Sequence, residues 1–538
     1  MSAFEKQVEI GRRAYSIFTL AFGCLVLLHV VLILLSFRDY GMTSDEAHHI
    51  RYGEQIVRWY TSGFEDKALF QTHNTWLYGG LFDTCAHLIS QFLPLDRYDA
   101  NHLVNACFGL IGVAAAFAIG TSVGGPFAGF LAALALFLTP RYYGHSFNNP
   151  KDIPFAVCYL WGVFAILQCC RSFPSFSKRC IVGTGLAIGC ALGIRVGGLM
   201  LIAYLGLVIA VLLTKHRGQL APTLRIVLPR LGLIVLLAYV TMLLFWPYAL
   251  TNPLSGPLSA LHKFSTFSES HTSFFNGRYV LNTELPRLYA PTWFLLTVPE
   301  FTLVGVVIGM ALLIIRKRFD HFIIFLAGAF PVLYAVIFNT PLYDGIRHLL
   351  FAMPPLVVFG MVAVSDMVKR PATHPVAGLI AFLLCCLPSI QMIRLHPNQY
   401  VYFNTLVAGG LKKASLNYET DYWENTFKQG IRWAENSWQE TRAGKQKIGG
   451  FSENIRYMLD STRSEMAPNP EAADVYLGTT RYDRHRVVAG EILHIVASES
   501  TPLLYLIRPD TAYQHDRFFT DSPFYQFRLG EVLEGGNR

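Results

Sequence analysis

Residues 14–49 read AYSIFTLAFGCLVLLHVVLILLSFRDYGMTSDEAHH. The first part, 14–36, is apolar and carries no Asp, Glu, Lys or Arg. A run of that length spans the hydrocarbon core of a bilayer as a helix. No small-residue cleavage site closes it, so it reads as a signal anchor that stays in the chain. Directly after it come two adjacent carboxylates, Asp45 and Glu46. Ionised groups at a membrane exit are expensive unless they are hydrated or functional. The stretch therefore sets two expectations, a membrane protein and a polar site at the mouth of its first helix.

Working outward, the composition agrees. The chain has 538 residues, of which 53% are hydrophobic and only 15% charged. Soluble domains carry about 25% charged residues. Mean hydropathy is +0.37, and a surface so poor in charge is solvated by lipid rather than water. The same richness in apolar residues excludes disorder. The net charge of +8 is not a nucleic-acid footprint, because the extra Lys and Arg flank apolar runs instead of forming one patch. The ten cysteines, all before residue 395, show no CxxC or Cys/His metal spacing and read as small buried hydrophobes.

Apolar runs predict about eleven spans, near 14–36, 102–122, 126–143, 153–170, 180–194, 196–214, 231–249, 293–315, 321–338, 348–366 and 375–393. Arg195, followed by Gly197 and Gly198, breaks the stretch 180–214. Basic clusters at Lys6/Arg12/Arg13, Arg171/Lys178/Arg179, Lys215/Arg217/Arg225/Arg230, Arg316/Lys317/Arg318 and Lys369/Arg370 then all fall on one side. By the excess of Lys and Arg in cytoplasmic loops, that side is cytoplasmic and includes the N-terminus. Asn74–Leu93, if counted as a span, would invert every later cluster. With Asp83, His87, Gly79 and Gly80 it reads as an interfacial helix. From His396 the composition turns to balanced charge without spans. Short alternating runs, Val475–Leu477, Ile492–Val496 and Leu503–Ile507, predict strands, and Asn425–Trp438 a helix. The expected architecture is a polytopic α-helical membrane region, 1–395, whose first outer loop is 37–101, followed by a small α/β domain, 396–538, outside the membrane.

Polar residues gather in the outer loops. In Thr43-Ser44-Asp45-Glu46-Ala47-His48-His49, Asp45 suits a general base on a hydroxyl; a helix N-cap reads the same residues equally well. His48 and His49, adjacent on a helix, point apart and do not suggest a metal. The loop after the third span holds Arg141, His145, Asn149, Lys151 and Asp152. Lys151 suits a lipid phosphate, while Asn-Asn-Pro and Asp-Ile-Pro are also ordinary turn chemistry. Tyr343-Asp344-Gly345-Ile346-Arg347-His348 offers a guanidinium able to grip phosphate, or an interfacial anchor. His396–Asn404 and Glu419-Thr420-Asp421-Tyr422-Trp423 combine aromatics with carboxylates, which suits sugar stacking and an aromatic belt alike.

The arrangement as a whole resembles the GT-C glycosyltransferases: a signal anchor, an acidic pair at once outside it, a long first loop with interfacial helices, a second acidic loop after span three and an outer C-terminal domain. Within them it is most similar to the branch containing protein O-mannosyltransferases and bacterial lipid A aminoarabinose transferases. Asp45-Glu46 resembles the first-loop acidic motif, and Asn149-Pro150-Lys151-Asp152 the second-loop segment of bacterial members. His396–Asn404 and Asp421-Tyr422-Trp423 look like stretches of a bacterial subgroup whose acceptor is unassigned. The resemblance implies a membrane glycosyltransferase that takes a sugar from a polyprenyl-phosphate donor and inverts its configuration. Asp45 would be the base, Glu46 would orient it or bind acceptor, and Asp152 would be the second acidic position. Lys151, Arg347 and Arg195 would hold phosphate, with His145, Asn149, His348, Tyr343, Asp421 and Trp423 around the substrates. The partners implied are the lipid-linked sugar, membrane lipids and a glycan, lipid or protein acceptor, with no nucleic acid. No cofactor and no metal is assigned, although Asp45, Glu46, Asp152 and His145 are of the types that ligate divalent ions. The chain departs from the protein O-mannosyltransferases in lacking their late-loop domains, so the acceptor does not carry over. Outer loops without an Asn-x-Ser/Thr sequon or disulfide framework point to a bacterial inner membrane. A multi-span transporter or flippase of lipid-linked sugars is the alternative; it predicts ionisable residues in mid-span, for which Arg195 is the main candidate.

Overall fold

The computed structural model describes residues 7–10, 13–72, 74–265, 270–368, 386–437, 444–510 and 524. A short antiparallel pair, β1 (Gln7–Ile10) and β2 (Arg13–Ser16), leads into α1 (Ile17–Ser36). Ser16 caps that helix, its Oγ accepting from the Phe18 amide at 3.3 Å. The first loop then holds α2 (Glu46–Thr61) and α3 (Leu81–Ser90). The segment expected to lie in the interface, 74–93, is thus a 3-10 turn, Thr75–Leu77, followed by a ten-residue helix.

Next come α4 (Arg97–Gly124), α5 (Pro126–Phe137), α6 (Pro140–Asn148), α7 (Asp152–Ser172), α8 (Lys178–Leu192), α9 (Leu199–Lys215) and α10 (Leu220–Phe245). Asp96 caps α4 with two bonds of 2.9 Å from the Tyr98 and Asp99 amides. Gly125, at φ +85°, makes the reversal from α4 to α5 in a backbone region that a side chain would strain. Short α11 (Pro247–Thr251) and α12 (Ser255–Ser265) precede a hairpin of β3 (Thr272–Phe275) and β4 (Arg278–Leu281). The chain continues through α13 (Tyr289–Thr297), α14 (Glu300–Arg316), α15 (Phe319–Phe338) and a 3-10 turn, Arg347–Ala352, into α16 (Met353–Val368).

Seven helical stretches among the described residues are long and apolar enough to cross a membrane, or eight if α13 and α14, bent by 117°, form one broken span. Eleven were expected, and the differences have local causes. Pro140 starts a new helix inside 126–143, leaving α5 only 12 residues long. The stretch 180–194 folds as the 15-residue α8, short of the usual spanning length. Of 375–393, only 386 onward is described, as part of a helix over 386–395 (α17). Cys24 and Cys107, expected to be buried, are exposed on helix surfaces.

Two ends of the bundle differ in charge. Asp152 begins α7 and Arg171 stands in its last turn, where its guanidinium meets Ser122 near the end of α4. Arg347 begins the turn leading into α16, and Asp366 near that helix's end binds Arg316 at 2.7 Å. Each helix puts about 30 Å between its ends, so the Arg171, Arg316 and Arg318 clusters lie a bilayer's thickness from Asp152 and Arg347.

After α17 come the five-residue α18 (Gly410–Ala414), α19 (Phe427–Ser437) and α20 (Ile455–Met458). Helix α19 falls within the expected 425–438, of which residue 438 lies outside the described residues. Five strands, β5 (Gln446–Gly450), β6 (Ser464–Met466), β7 (Val475–Thr479), β8 (Gly490–Ser498) and β9 (Thr501–Pro509), form one sheet in the order β6-β5-β7-β9-β8. β5 pairs in parallel with β6 and β7, and β9 runs antiparallel to β7 and β8. The amphipathic α19 lays Phe427, Ile431 and Ala434 on Ile448, Leu477, Leu504 and Leu506, which makes a separate small core. Residues 400–403 and 422–423, by contrast, are buried in the same core as the long helices. They carry the sheet's charged turn, Arg481–Arg486, against the membrane region, through Arg481 to the Tyr422 carbonyl and Arg484 to Glu424.

Candidate active site

The position of Asp45 is built from three distant segments. Gly41 donates to Asn425 Oδ1 at 2.8 Å, Asn148 Nδ2 donates to the Gly41 carbonyl at 3.1 Å, and Asn454 Nδ2 donates to the Thr43 carbonyl at 2.8 Å. A Cβ on Gly41 would stand 2.1 Å from the Asn425 carbonyl oxygen, so only glycine allows this approach. Glu46 completes the turn from within: Oε2 accepts from the Thr43 amide at 2.7 Å and Oε1 lies 2.9 Å from His102 Nε2. The adjacent carboxylates therefore diverge. Glu46 is buried and anchors the start of α2, while Asp45 occupies the N-cap position without a capping bond from its side chain.

Asp45 Oδ2 instead lies 2.9 Å from Arg347 Nη1 and 3.4 Å from Lys151 Nζ. Burial pushes the Asp45 carboxyl up, but Lys151, Arg347 and His49 outweigh it and hold the group well below the usual carboxylate range. Arg347 is shared: its Nη2 lies 3.0 Å from Asp344 Oδ2, and Asp344 Oδ1 lies 2.6 Å from Arg481 Nη2. The result is an alternating chain, Lys151–Asp45–Arg347–Asp344–Arg481, running from the second loop to the sheet region. Aromatic faces floor the cations. Lys151 sits 4.6 Å from the Tyr78 ring centre, and Arg347 lies 4.6 Å from Trp423 and 5.0 Å from Tyr343. Asp344, at φ +55°, and Gly345, at +65°, form the left-handed turn that aims Asp344 at both guanidiniums.

These groups surround a cavity of about 360 Å³. Asp45, Lys151, Tyr343, Asp344, Arg347, Trp423 and Arg481 line it, as do Lys263 and His271. Four cations face two carboxylates there, an imbalance that attracts an anionic group into a partly desolvated space. Lys263 comes from α12 and reaches Asn74 Oδ1 at 3.3 Å.

The other expected residues stand just outside the cavity lining. Asp152 is buried, with Oδ1 2.5 Å from Arg195 Nη2 and Oδ2 accepting from Asn149 Nδ2 at 3.0 Å. Asn149 Oδ1 in turn accepts from the Asp152 amide at 2.9 Å, so the Asn-Pro-Lys-Asp turn holds Lys151 in place. Arg195, at the break between α8 and α9, is thus the partner of Asp152 and neutralises it at the base of α7. His145 Nε2 lies 3.0 Å from the Tyr422 hydroxyl. Burial, followed by the nearby Arg141, pushes the imidazole down to about 3, so it is neutral at ordinary pH. His348 packs its ring 4.5 Å from Tyr343. Asp421 is turned inward; it accepts from the Tyr400 hydroxyl, from Thr426 and from the Asn425 amide, and so ties 400–403 to the start of α19.

Sequence reading left out Asp344, Arg481, Lys263, Tyr78 and His271. Asp344 had a signal, being between Tyr343 and Arg347 in one polar turn. Arg481 stands among other cations in Arg481–Arg486, and only the fold singles it out. Among the described residues, no group of three or more His, Cys, Asp or Glu is placed to hold a metal ion.

No protein-family model matches the chain, and no curated protein does. Among solved structures it is similar to ArnT from Cupriavidus metallidurans bound to undecaprenyl phosphate, at 14% identity and a TM-score of 0.47, over 90% of this chain and 98% of that one. It is similar to the archaeal oligosaccharyltransferase AglB from Archaeoglobus fulgidus in complex with an inhibitory peptide and a dolichol-phosphate, at 12% identity and a TM-score of 0.44, over 85% and 65%. The S. cerevisiae protein O-mannosyltransferase Pmt1-Pmt2 complex bound to the sugar donor matches at 13% identity and a TM-score of 0.37, over 51% and 45%. All three TM-scores lie below 0.5, so the weight of any functional reading falls on the residues around Asp45.

Proposed function

We propose that this chain is an integral membrane glycosyltransferase that moves a sugar from a polyprenyl-phosphate donor to a hydroxyl of a glycan, lipid or protein acceptor. One observation carries the reading. The Asp45 carboxylate, at the start of the first loop helix, stands 2.9 and 3.4 Å from Arg347 and Lys151 at the wall of a cation-rich cavity at one end of the bundle. Such a site has what displacement at a glycosyl phosphate requires. The leaving phosphate needs its charge stabilised more than it needs a proton, and Lys151 and Arg347 supply that. The incoming hydroxyl must lose its proton, and Asp45 takes it.

In this mechanism the donor phosphate enters between Lys151 and Arg347, with Lys263 and Arg481 at the periphery. Its negative charge competes with Asp45 for both cations, so the carboxylate regains basicity when the donor is in place. The acceptor oxygen attacks the anomeric carbon from the face opposite the phosphate. The new C–O bond forms as the old one breaks, the bonding pair leaves on the phosphate oxygen, the proton passes to Asp45 and the configuration inverts. Asp152, neutralised by Arg195, and Asn149 hold Lys151. Glu46 holds the turn before Asp45, and Tyr343 and Trp423 floor Arg347. His145, His348 and Asp421 position these neighbours from behind.

The basic clusters at the far helix ends support an N-terminus in the cytoplasm and a site at the outer face of a bacterial inner membrane. We assign catalysis to the membrane region, 1–395, and an extracytoplasmic role to 396–538, which sends Arg481 to the site. The decisive experiment is Asp45→Asn in purified, reconstituted protein. It is expected to abolish transfer from a labelled polyprenyl-phosphate sugar while donor binding persists. Full activity in that variant would remove Asp45 from the mechanism, and movement of the lipid-linked sugar across the bilayer without transfer would favour a flippase.

A further inference from the structure

A second cavity, of about 400 Å³, lies against the first. Arg481 lines both, Tyr422 lines the second and its neighbour Trp423 the first. Arg481 also donates to the Tyr422 carbonyl. Arg481 and the Tyr422–Trp423 peptide are thus common to the two cavities' boundary. We infer that this second cavity binds an uncharged, polyhydroxylated group, a sugar unit of the acceptor, whose neighbouring hydroxyl enters the first cavity. The word acceptor rests on the glycosyltransferase reading; the sugar site does not.

Three features of the lining select such a ligand. Tyr279, Tyr418 and Tyr505 line it half-buried, leaving part of each side chain for contact with the C–H face of a pyranose, while Tyr482 in the same lining is covered by Phe524 and Arg481. Tyr482 is held there in the left-handed region at φ +55°, and Asp483 beside it at +53°, a costly backbone for non-glycine residues and one that clusters at ligand sites. Phe524 stacks on Tyr482 at 4.7 Å and covers one edge of this aromatic lining.

Second, buried polar atoms of the lining residues have no hydrogen-bond partner among the described residues. Glu419 Oε2 and Thr501 Oγ1 belong to residues only 7% and 4% exposed, and Arg481 Nε is likewise unpartnered. A buried acceptor, hydroxyl and donor left over among residues that line one cavity are unusual in a folded protein and are of the types that pair with sugar hydroxyls. Burial pushes the Glu419 carboxyl up to about 7, against the pull of Arg481, so above neutral pH it is an ionised acceptor. Third, the charges balance. Glu419 and Asp483 face Arg481 and Arg486, in contrast to the cation excess next door. A phosphate has no advantage here, and a neutral ligand pays no electrostatic penalty.

The test uses the full chain in lipid nanodiscs and saturation-transfer NMR with a panel of neutral and acidic trisaccharides, including maltotriose and chitotriose. Transfer to sugar protons is expected for at least one neutral trisaccharide. It is expected to persist in Asp45→Asn and to be lost in Tyr505→Ala and in the milder Thr501→Val. No transfer from any trisaccharide to folded wild-type protein would overturn the inference. So would transfer that survives both cavity substitutions, or that occurs with acidic sugars alone. Sugar binding without glycosyl transfer from a polyprenyl-phosphate sugar would keep this site and sink the catalytic reading; transfer without sugar binding would do the reverse.

Discussion

Two ion-pair clusters lie at opposite ends of the same helices, and their difference separates a fastener from a candidate site. At the basic end, Asp366 binds Arg316 at 2.7 Å and Arg318 at 3.6 Å, Arg318 also reaches Asp320 at 2.9 Å, and its Nη2 donates to the Val123 carbonyl at 3.2 Å. Arg316 ends α14 at the negative end of that helix's dipole, and Arg318, the residue before α15, reaches a carbonyl in the last turn of α4. Their charge is consumed in tying α4, α14, α15 and α16 together. At the other end Arg347 is nearly buried, its carboxylate partners come from two loops, and the same pairs line open space with cations in excess. Ion pairing alone does not mark a site; pairing around a vacancy of unbalanced charge does.

Substitution at matched positions is the hardest way to break this contrast. Asp45→Asn is expected to lower the transfer rate by about 10²–10⁴-fold, the usual contribution of a general base. Asp366→Asn, at the other end, is expected to leave the rate within about threefold, both read from release of labelled sugar. A smaller ratio between the two would dissolve the distinction.

Stability sharpens it next. Arg347→Ala leaves Asp344 and Asp45 without their shared partner and should cost about 3–5 kcal/mol, the range for breaking a buried pair. Arg316→Ala, at a half-exposed side chain, should cost about 1 kcal/mol or less. Thermal unfolding in matched detergent would show the two midpoints well separated if burial is what distinguishes the clusters.

Lys151→Gln isolates the cation nearest Asp45. Loss of one charge-assisted contact to phosphate is expected to weaken donor binding by about tenfold or more. Equilibrium binding of a polyprenyl phosphate measures it, and Lys178→Gln at the basic end serves as the control that should not change it.

The smallest effect concerns pH. The Glu419 carboxyl, raised by burial to about 7, would ionise near 4.3 in the unfolded chain. Between those values the folded state holds a proton that the unfolded state has lost. Stability is therefore full below about 4.3 and falls as pH rises through 7. Glu419→Gln is expected to flatten that decline in a Tm-against-pH series. Asp45 has the opposite sign. Its depressed carboxyl stabilises the fold above about 3.9 and loses that contribution only as pH falls through its folded value, so Asp45→Asn should leave the slope between pH 5 and 8 unchanged.

Much of this was legible in order of residues. An uncharged run before Asp45, the Lys151 turn and the Arg347 turn announce themselves because a charge beside an apolar span is conspicuous in one dimension. The strands at 475–477, 492–496 and 503–507 announce themselves through alternation, and all three lie within β7, β8 and β9. The roles within each cluster were not legible. Asp45 and Glu46 are neighbours in sequence, yet one faces the cavity and the other anchors Thr43, because successive residues at a helix start point in different directions. Asp152, expected as the second acidic position, and Arg195, expected to hold phosphate, stand 2.5 Å apart as an ion pair.

What the residues determined by themselves is the solvent of the molecule, the location of its long apolar helices and the two or three loops where charge gathers. These are sums over neighbouring side chains, and hydropathy and helix propensity are local quantities. What only the tertiary structure decided is which charge meets which. The chain from Lys151 to Arg481 pairs residues up to 302 positions apart, and its pairing follows from how helices cross and where the sheet docks. Coulomb attraction selects partners by distance in space, and a linear sequence does not hold that distance.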